Sequence, residues 1–240
     1  MTDTQKKAIN GREQIMGRVR RALQVPAPKR HIPTPAPTTE RFARALPVIR
    51  QEARAWLPPV GETWDEQIAL FAAQCTDLRA EFFLCADLDE VRERLAALAQ
   101  ESNWQRIAAH PGDLTDACAP SLSLPTLVTG SGYEISELER CDAALTQCDA
   151  LVAQTGSVLI TSRSAGGRTL SALAPHHVVL ARRKQLVPDL TAAFALLTER
   201  YGEDYPSLMS FITGPSRTGD IERILVLGAH GPKRLTIFCV

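Results

Sequence analysis

Between Thr63 and Gly132 the chain alternates two periodicities, and that alternation restricts its fold more than any other feature. Thr63 with Glu66 reads as a capping box opening a helix that runs to about Thr76. Ala80–Cys85 is a short apolar run of strand length. Asp87 then caps a second helix, on which Val91, Leu95, Leu98 and Ala99 form one apolar stripe. Arg106–Ala109 and Thr126–Thr129 are further strand-like runs, closed by His110-Pro111-Gly112-Asp113 and Gly130-Ser131-Gly132. Strands separated by helices of this length predict the α/β class, a parallel-containing sheet covered by helices.

After residue 140 the spacing tightens. Ala143–Thr146, Ala150–Ala153 and Ser157–Thr161 are short apolar pieces that read as strands and turns rather than crossover units. His177–Ala181 reads as a central strand. Pro188 starts a helix to about Tyr201 with Leu190, Phe194 and Leu197 facing inward. Leu208–Thr213 is a strand, and Ile221–Leu227 with Leu235–Val240 is expected as a hairpin.

The first residues differ from the body. Gln5–Leu23 predicts a basic amphipathic helix with Met16, Val19 and Leu23 on one face. Pro26–Thr39 is a proline-rich, extended linker, and a short helix is expected at about Glu40–Trp56. The reading divides the chain into an N-terminal arm, 1–59, and an α/β domain, 60–240. Residues 1–30 carry a local charge of about +6, which the rest balances, because the totals are 27 basic and 27 acidic residues. With aromatic residues at only 5%, little is available for base stacking, which argues against nucleic acid as a partner. No apolar run approaches the roughly 18 residues of a membrane span. Six cysteines without a CxxC pair predict a reducing, cytoplasmic setting and no metal or cluster held by this chain.

Three loops carry donors. Gln154-Thr155-Gly156-Ser157 is either a plain turn or an anion-binding turn, with Gly156 free to take positive φ. Ser162–Arg168 sets Arg163 and Arg168 among glycines and serines, suited to a carboxylate or phosphate if not simply solvated. The third runs from Thr213 to Pro232. Gly214, Ser216, Arg217 and Thr218 are candidate ligand-binding residues, with Gly231 in the second turn. Asp220 and His230 are the candidate acid–base groups. Pro175-His176-His177 places two imidazoles on opposite faces of a strand, where they cannot readily share one metal. There is no GxxxxGK[ST] and no GxGxxG.

Taken together, Ala153–Ser157, the Thr213-Gly214-Pro215-Ser216-Arg217-Thr218-Gly219-Asp220-Ile221-Glu222 element and Gly228-Ala229-His230-Gly231-Pro232 resemble the LUD domain family, in its lactate-utilisation protein C (LutC/YkgG) group. The resemblance covers about residues 60–240. It departs at Gln154, where many relatives carry Glu, and at Gly219, where many carry Ala. It implies a fold similar to the NagB/RpiA/CoA-transferase class, a three-layer α/β/α sandwich with a mixed sheet. It also implies an accessory subunit working beside two iron–sulfur proteins, LutA-like and LutB-like, in oxidising L-lactate to pyruvate. The iron–sulfur clusters would then sit in those partners, and this chain would offer Thr155, Gly156, Ser157 and the 213–231 residues to a small anionic ligand. The alternative is a stand-alone enzyme of the same fold class acting on a phosphorylated, CoA-linked or folate-like ligand.

Overall fold

The architecture is that of a computed structural model describing residues 15–21, 24, 57–218, 226–228 and 230–240. The chain divides into two units, 1–53 and 54–240. In the first, residues 15–21 are helical, with Arg21 donating to the Gly17 carbonyl, and Ile15, Met16 and Val19 are exposed. The expected proline-rich linker and the helix at about 40–56 lie outside the described residues.

In the second unit the helices begin where their caps dictate. Helix α1, Trp64–Asp77, opens on the reciprocal capping box of Thr63 and Glu66. Helix α2, Leu88–Glu101, opens on Asp87, whose carboxylate accepts from the Glu90 N–H at 2.9 Å. Strand β1, Glu81–Leu84, lies between them. There follow β2 (Ile107–Ala109), α3 (Asp113–Cys118), β3 (Thr126–Val128), α4 (Ile135–Leu138), β4 (Ala143–Gln147), β5 (Ala150–Val152) and β6 (Ser157–Thr161). Then come α5 (Leu170–Leu173), β7 (His176–Ala181), β8 (Leu186–Val187), α6 (Leu190–Tyr201), β9 (Met209–Ile212), β10 (Arg217–Thr218), β11 (Val226–Leu227) and β12 (Arg234–Cys239).

Six strands form one sheet in the order β1-β12-β7-β4-β2-β3, every pair parallel. A second sheet, β8-β5-β6-β9, is where pairing is mixed: β5 runs parallel to β8, and β6 runs antiparallel to β5 and β9. One face of the parallel sheet packs under α2 and α3, through Val91, Leu95, Leu98, Leu114 and Cys118. Its other face meets α1 and the small sheet, through Phe71, Leu151, Ile160, Val179 and Ile237. Helix α6 covers the far side of the small sheet with Ala193 and Leu197.

Three expectations are revised. Strand β4 belongs to the parallel sheet, so only β5 and β6 make the compact pair. Phe194 is 57% exposed instead of inward, because α6 seats Ala193 and Leu197 on the sheet; its N-cap is Asp189 rather than a start at Pro188. The terminal hairpin does not form as expected. Strand β11 pairs with β10, while β12 enters the parallel sheet between β1 and β7. The reason is burial on both faces: Leu235, Ile237 and Cys239 feed one core cluster and Phe238 the other. Such a strand suits the interior of a parallel sheet rather than a half-solvated hairpin.

Candidate functional site

Open parallel sheets usually place ligands beyond the carboxyl ends of strands, at the point where the strand order reverses. Here that point lies between β2 and β4, and protein fills it. A Cβ on Gly166 would fall 2.3 Å from the His110 ring, and one on Gly112 would fall 1.7 Å from the Gln147 amide. Burial lowers the pKa of His110, and its Nδ1 lies 3.3 Å from the Thr129 hydroxyl. The loop after β6 occupies the crevice.

A cleft opens instead at the amino ends of β7 and β12, facing the edge strand β9 of the small sheet. Its volume is ≈ 360 Å³. Its walls are Ser210 and Ile212 of β9, Arg168 and Ser171 around α5, the 213–216 segment and the 230–232 turn. His177 and Leu235, in-register neighbours on β7 and β12, lie at its base.

Two loops are tied together to make one wall. The Ser216 N–H donates to the Pro232 carbonyl at 2.9 Å, the Gly228 N–H donates to the Ser216 carbonyl at 2.9 Å, and the β10–β11 ladder continues the pairing. Gly214 sits at φ +82°, with the Leu78 carbonyl only 2.9 Å from where a Cβ would be, so the turn leaving β9 requires glycine. Gly231 lies against Ser216, whose Cβ would be 3.0 Å from an added Cβ.

The structure therefore brings Gly214, Ser216, His230 and Gly231 to one cleft, with His230 on its exposed side. Ser157 reaches the same wall indirectly. Thr155 donates to the Ser157 hydroxyl at 2.8 Å, and that hydroxyl lies 2.8 Å from the hydroxyl of cleft residue Thr213. Gly156, at φ +62°, is pressed onto α1, where an added Cβ would meet Gln74 at 2.7 Å. Arg217 is exposed and turns back toward the Thr213 carbonyl, outside the cleft lining; Thr218 lies in β10, and Asp220 falls outside the described residues.

Every residue of this cleft lies within the span that a family model described as LUD domain matches, residues 134–240. The chain is 36% identical over 194 residues to the Lactate utilization protein C of Anoxybacillus flavithermus, covering 75% of this chain and 83% of that one. It is 28% identical over 191 residues to the protein of the same name from an Exiguobacterium species, covering 75% and 80%. The chain belongs to the LUD domain family. Among solved structures, a DUF162 family protein from Deinococcus radiodurans superposes with a TM-score of 0.59, covering 75% of this chain and 99% of that one at 23% identity, which shows a shared fold.

Within this LUD domain, sequence reading singled out the loops but missed the floor. His177 is 1% exposed; its Nε2 lies 2.8 Å from the Thr146 hydroxyl on β4. Burial, and secondarily His176, hold its pKa down at about 3, so the ring is neutral near pH 7. His176 points the other way, onto Trp104, with its Nε2 2.8 Å from the Thr236 hydroxyl. The signal for the floor was present in the alternation of β7, but which face opens on a cavity depends on β9, a strand remote in sequence. The two loop arginines also separate. Arg163 pairs with Asp204 at 2.6 Å and lies over the Tyr201 ring, whereas Arg168 stays on the cleft, with no carboxylate at ion-pair distance among the described residues. The cleft thus offers a guanidinium, three serine hydroxyls and a neutral imidazole beside Leu208, Ile212 and Leu235. The chemistry of that set suits an oxygen-rich anion with an apolar part.

Proposed function

We propose that this LUD-domain protein serves lactate utilisation as an accessory subunit beside two iron–sulfur proteins, holding an anionic ligand of that reaction in the cleft at the amino ends of β7 and β12. The likeness to proteins named Lactate utilization protein C, extending over four-fifths or more of two of them, is the observation that carries this reading. The cleft supports it, since the loop after β6 brings Arg168 to it and the 213–232 segment brings Thr213, Ser216 and His230.

Co-expression with the two iron–sulfur proteins is the test. A tagged chain should copurify with both, and its deletion should abolish growth on L-lactate while sparing growth on pyruvate. Failure to copurify, together with undiminished growth on lactate, would overturn the reading.

A further inference from the structure

Strand β9 ends the small sheet, and its outer edge has no partner strand among the described residues. Two hydrogen bonds fix which way its backbone groups point. The Ser162 N–H donates to the Leu208 carbonyl at 3.0 Å, and on the other side of β6 the Asp149 N–H donates to the Leu159 carbonyl at 2.8 Å. In the β6–β9 register, Leu208, Ser210 and Ile212 therefore turn their N–H and C=O groups to β6. Ser207, Met209, Phe211 and Thr213 turn theirs outward.

That outer edge is stopped at both ends. Arg168 donates to the Ser207 carbonyl at 3.4 Å, and Arg217 to the Thr213 carbonyl at 3.5 Å. Between these guanidinium groups the outward N–H and C=O of Met209 and Phe211 have no partner among the described residues. Natural sheets blunt such edges with charge, proline or very short strands. The other edges of the two larger sheets are blunted in this way. Strand β8 has two residues, β3 has three, and β1 opens on Glu81 in an ion pair with Arg234. Strand β9, Met-Ser-Phe-Ile, has neither charge nor proline.

An apolar strip runs beside it on the α6 side. Phe194, Tyr205 and Met209 are exposed, Phe211 packs against Phe194, and Tyr205 donates to Thr198 of α6. An exposed apolar strip along an open strand has the form of an interaction surface.

Two features select a second copy of this chain as the occupant. The open stretch is symmetric about Ser210, so an antiparallel copy related by a twofold axis there sets Met209 against Phe211 on both sides of the axis. Every open donor then meets an open acceptor. The charges at the strand ends also match. Glu203 and Asp204 precede β9, where Asp204 is held by Arg163, Arg168 is turned to the cleft, and Glu203 has no cation at ion-pair distance among the described residues. Arg217, beyond the other end, has no carboxylate at that distance among them. The twofold axis carries Arg217 of each copy to the end where the other copy holds Glu203.

We propose that the chain forms a twofold dimer through β9, joining two small sheets edge to edge. Directly opposed residues of paired strands share a face. Ser210 of one copy thus meets Ser210 of the other on the cleft side, and Leu208 meets Ile212, so the two clefts are built along one shared wall.

Sedimentation velocity of the full-length protein from about 1 to about 100 μM should show a monomer–dimer equilibrium. Amide exchange at Met209 and Phe211 should slow as concentration rises, while Ser210 and Ile212, bonded to β6, keep the same protection throughout. Met209→Pro removes an N–H that β6 does not use, at an edge position that tolerates proline. It should weaken the dimer at least about tenfold and leave the far-ultraviolet spectrum unchanged. Glu203→Arg and Arg217→Glu should each weaken it, and the two together should restore it, a recovery that damage to folding does not give. A monomer throughout that range, exchange at Met209 and Phe211 independent of concentration, or assembly beyond the dimer would overturn the proposal. So would a dimer indifferent to the proline and to both charge reversals. The experiment needs neither a ligand nor the iron–sulfur proteins, so it succeeds or fails apart from the function proposed above.

Discussion

His176 and His177 show how one residue of register decides chemistry. A strand sends adjacent side chains to opposite faces, so one imidazole enters a packed core against Trp104 and the other floors a cleft. That much was legible in the sequence as two rings that could not converge. Both are held neutral, His176 at about 4 and His177 at about 3, by burial first; Arg234 also lowers the former, against the opposing pull of Glu81. The unfolded chain binds these protons near pH 6.5 and the folded chain does not. Stability is therefore fully present above about pH 6.5 and is lost as pH falls toward 4 and 3, by up to about 1.4 kcal/mol per pH unit for each ring. Urea unfolding at pH 7.5 and pH 5 should show the lower midpoint at pH 5, and replacing His177 with Gln should shrink the gap. Gln154 carries a second prediction. Its amide donates to the Pro58 carbonyl at 2.9 Å, a bond that an ionised glutamate at this position could not make. Gln154→Glu should cost about 1–2 kcal/mol in chemical denaturation at neutral pH. The amide donor was visible in the sequence; its partner, 96 residues earlier, was not.

At the scale of elements, local chemistry was most readable where a cap fixes a boundary. The Thr63–Glu66 box and Asp87 set the starts of α1 and α2 because their side chains pair with N–H groups that the helix itself cannot satisfy. Thr63→Ala should lower stability by about 1 kcal/mol, with the first turn of α1 losing amide-exchange protection before the rest of the unit. Helix α6 shows the limit of such reading. Its stripe names Leu190, Phe194 and Leu197 equally well, and the small sheet buries Ala193 and Leu197 with Val152 and Leu159, with Leu190 packed partly buried beside them. Phe194 instead packs at the edge on Phe211, with ring centroids 5.5 Å apart. The last strand was legible as a strand, but its partners were not, since an apolar run pairs as well with a neighbour in sequence as with β1 and β7.

For the whole molecule, β12 is the test of that long-range choice. It bridges β1 to β7 and contributes Leu235, Ile237, Phe238 and Cys239 to the two clusters on either side of the parallel sheet. Removing residues 234–240 should abolish the cooperative thermal transition of the α/β unit, rather than merely lower its midpoint, with collapse of near-ultraviolet circular dichroism as the readout. The sequence by itself determined the α/β class, the caps, most strand positions and the loops that carry the family pattern, because these depend on interactions a few residues apart. Only the tertiary structure decided that the strand-reversal crevice is filled by the loop after β6, that the opening lies at the amino ends of β7 and β12, and that Arg168 and His177 share it while Arg163 does not. Those outcomes turn on which strands meet across long stretches of chain, from Ala143 with His176 to Glu81 with Thr236, and an apolar period carries no record of its partner.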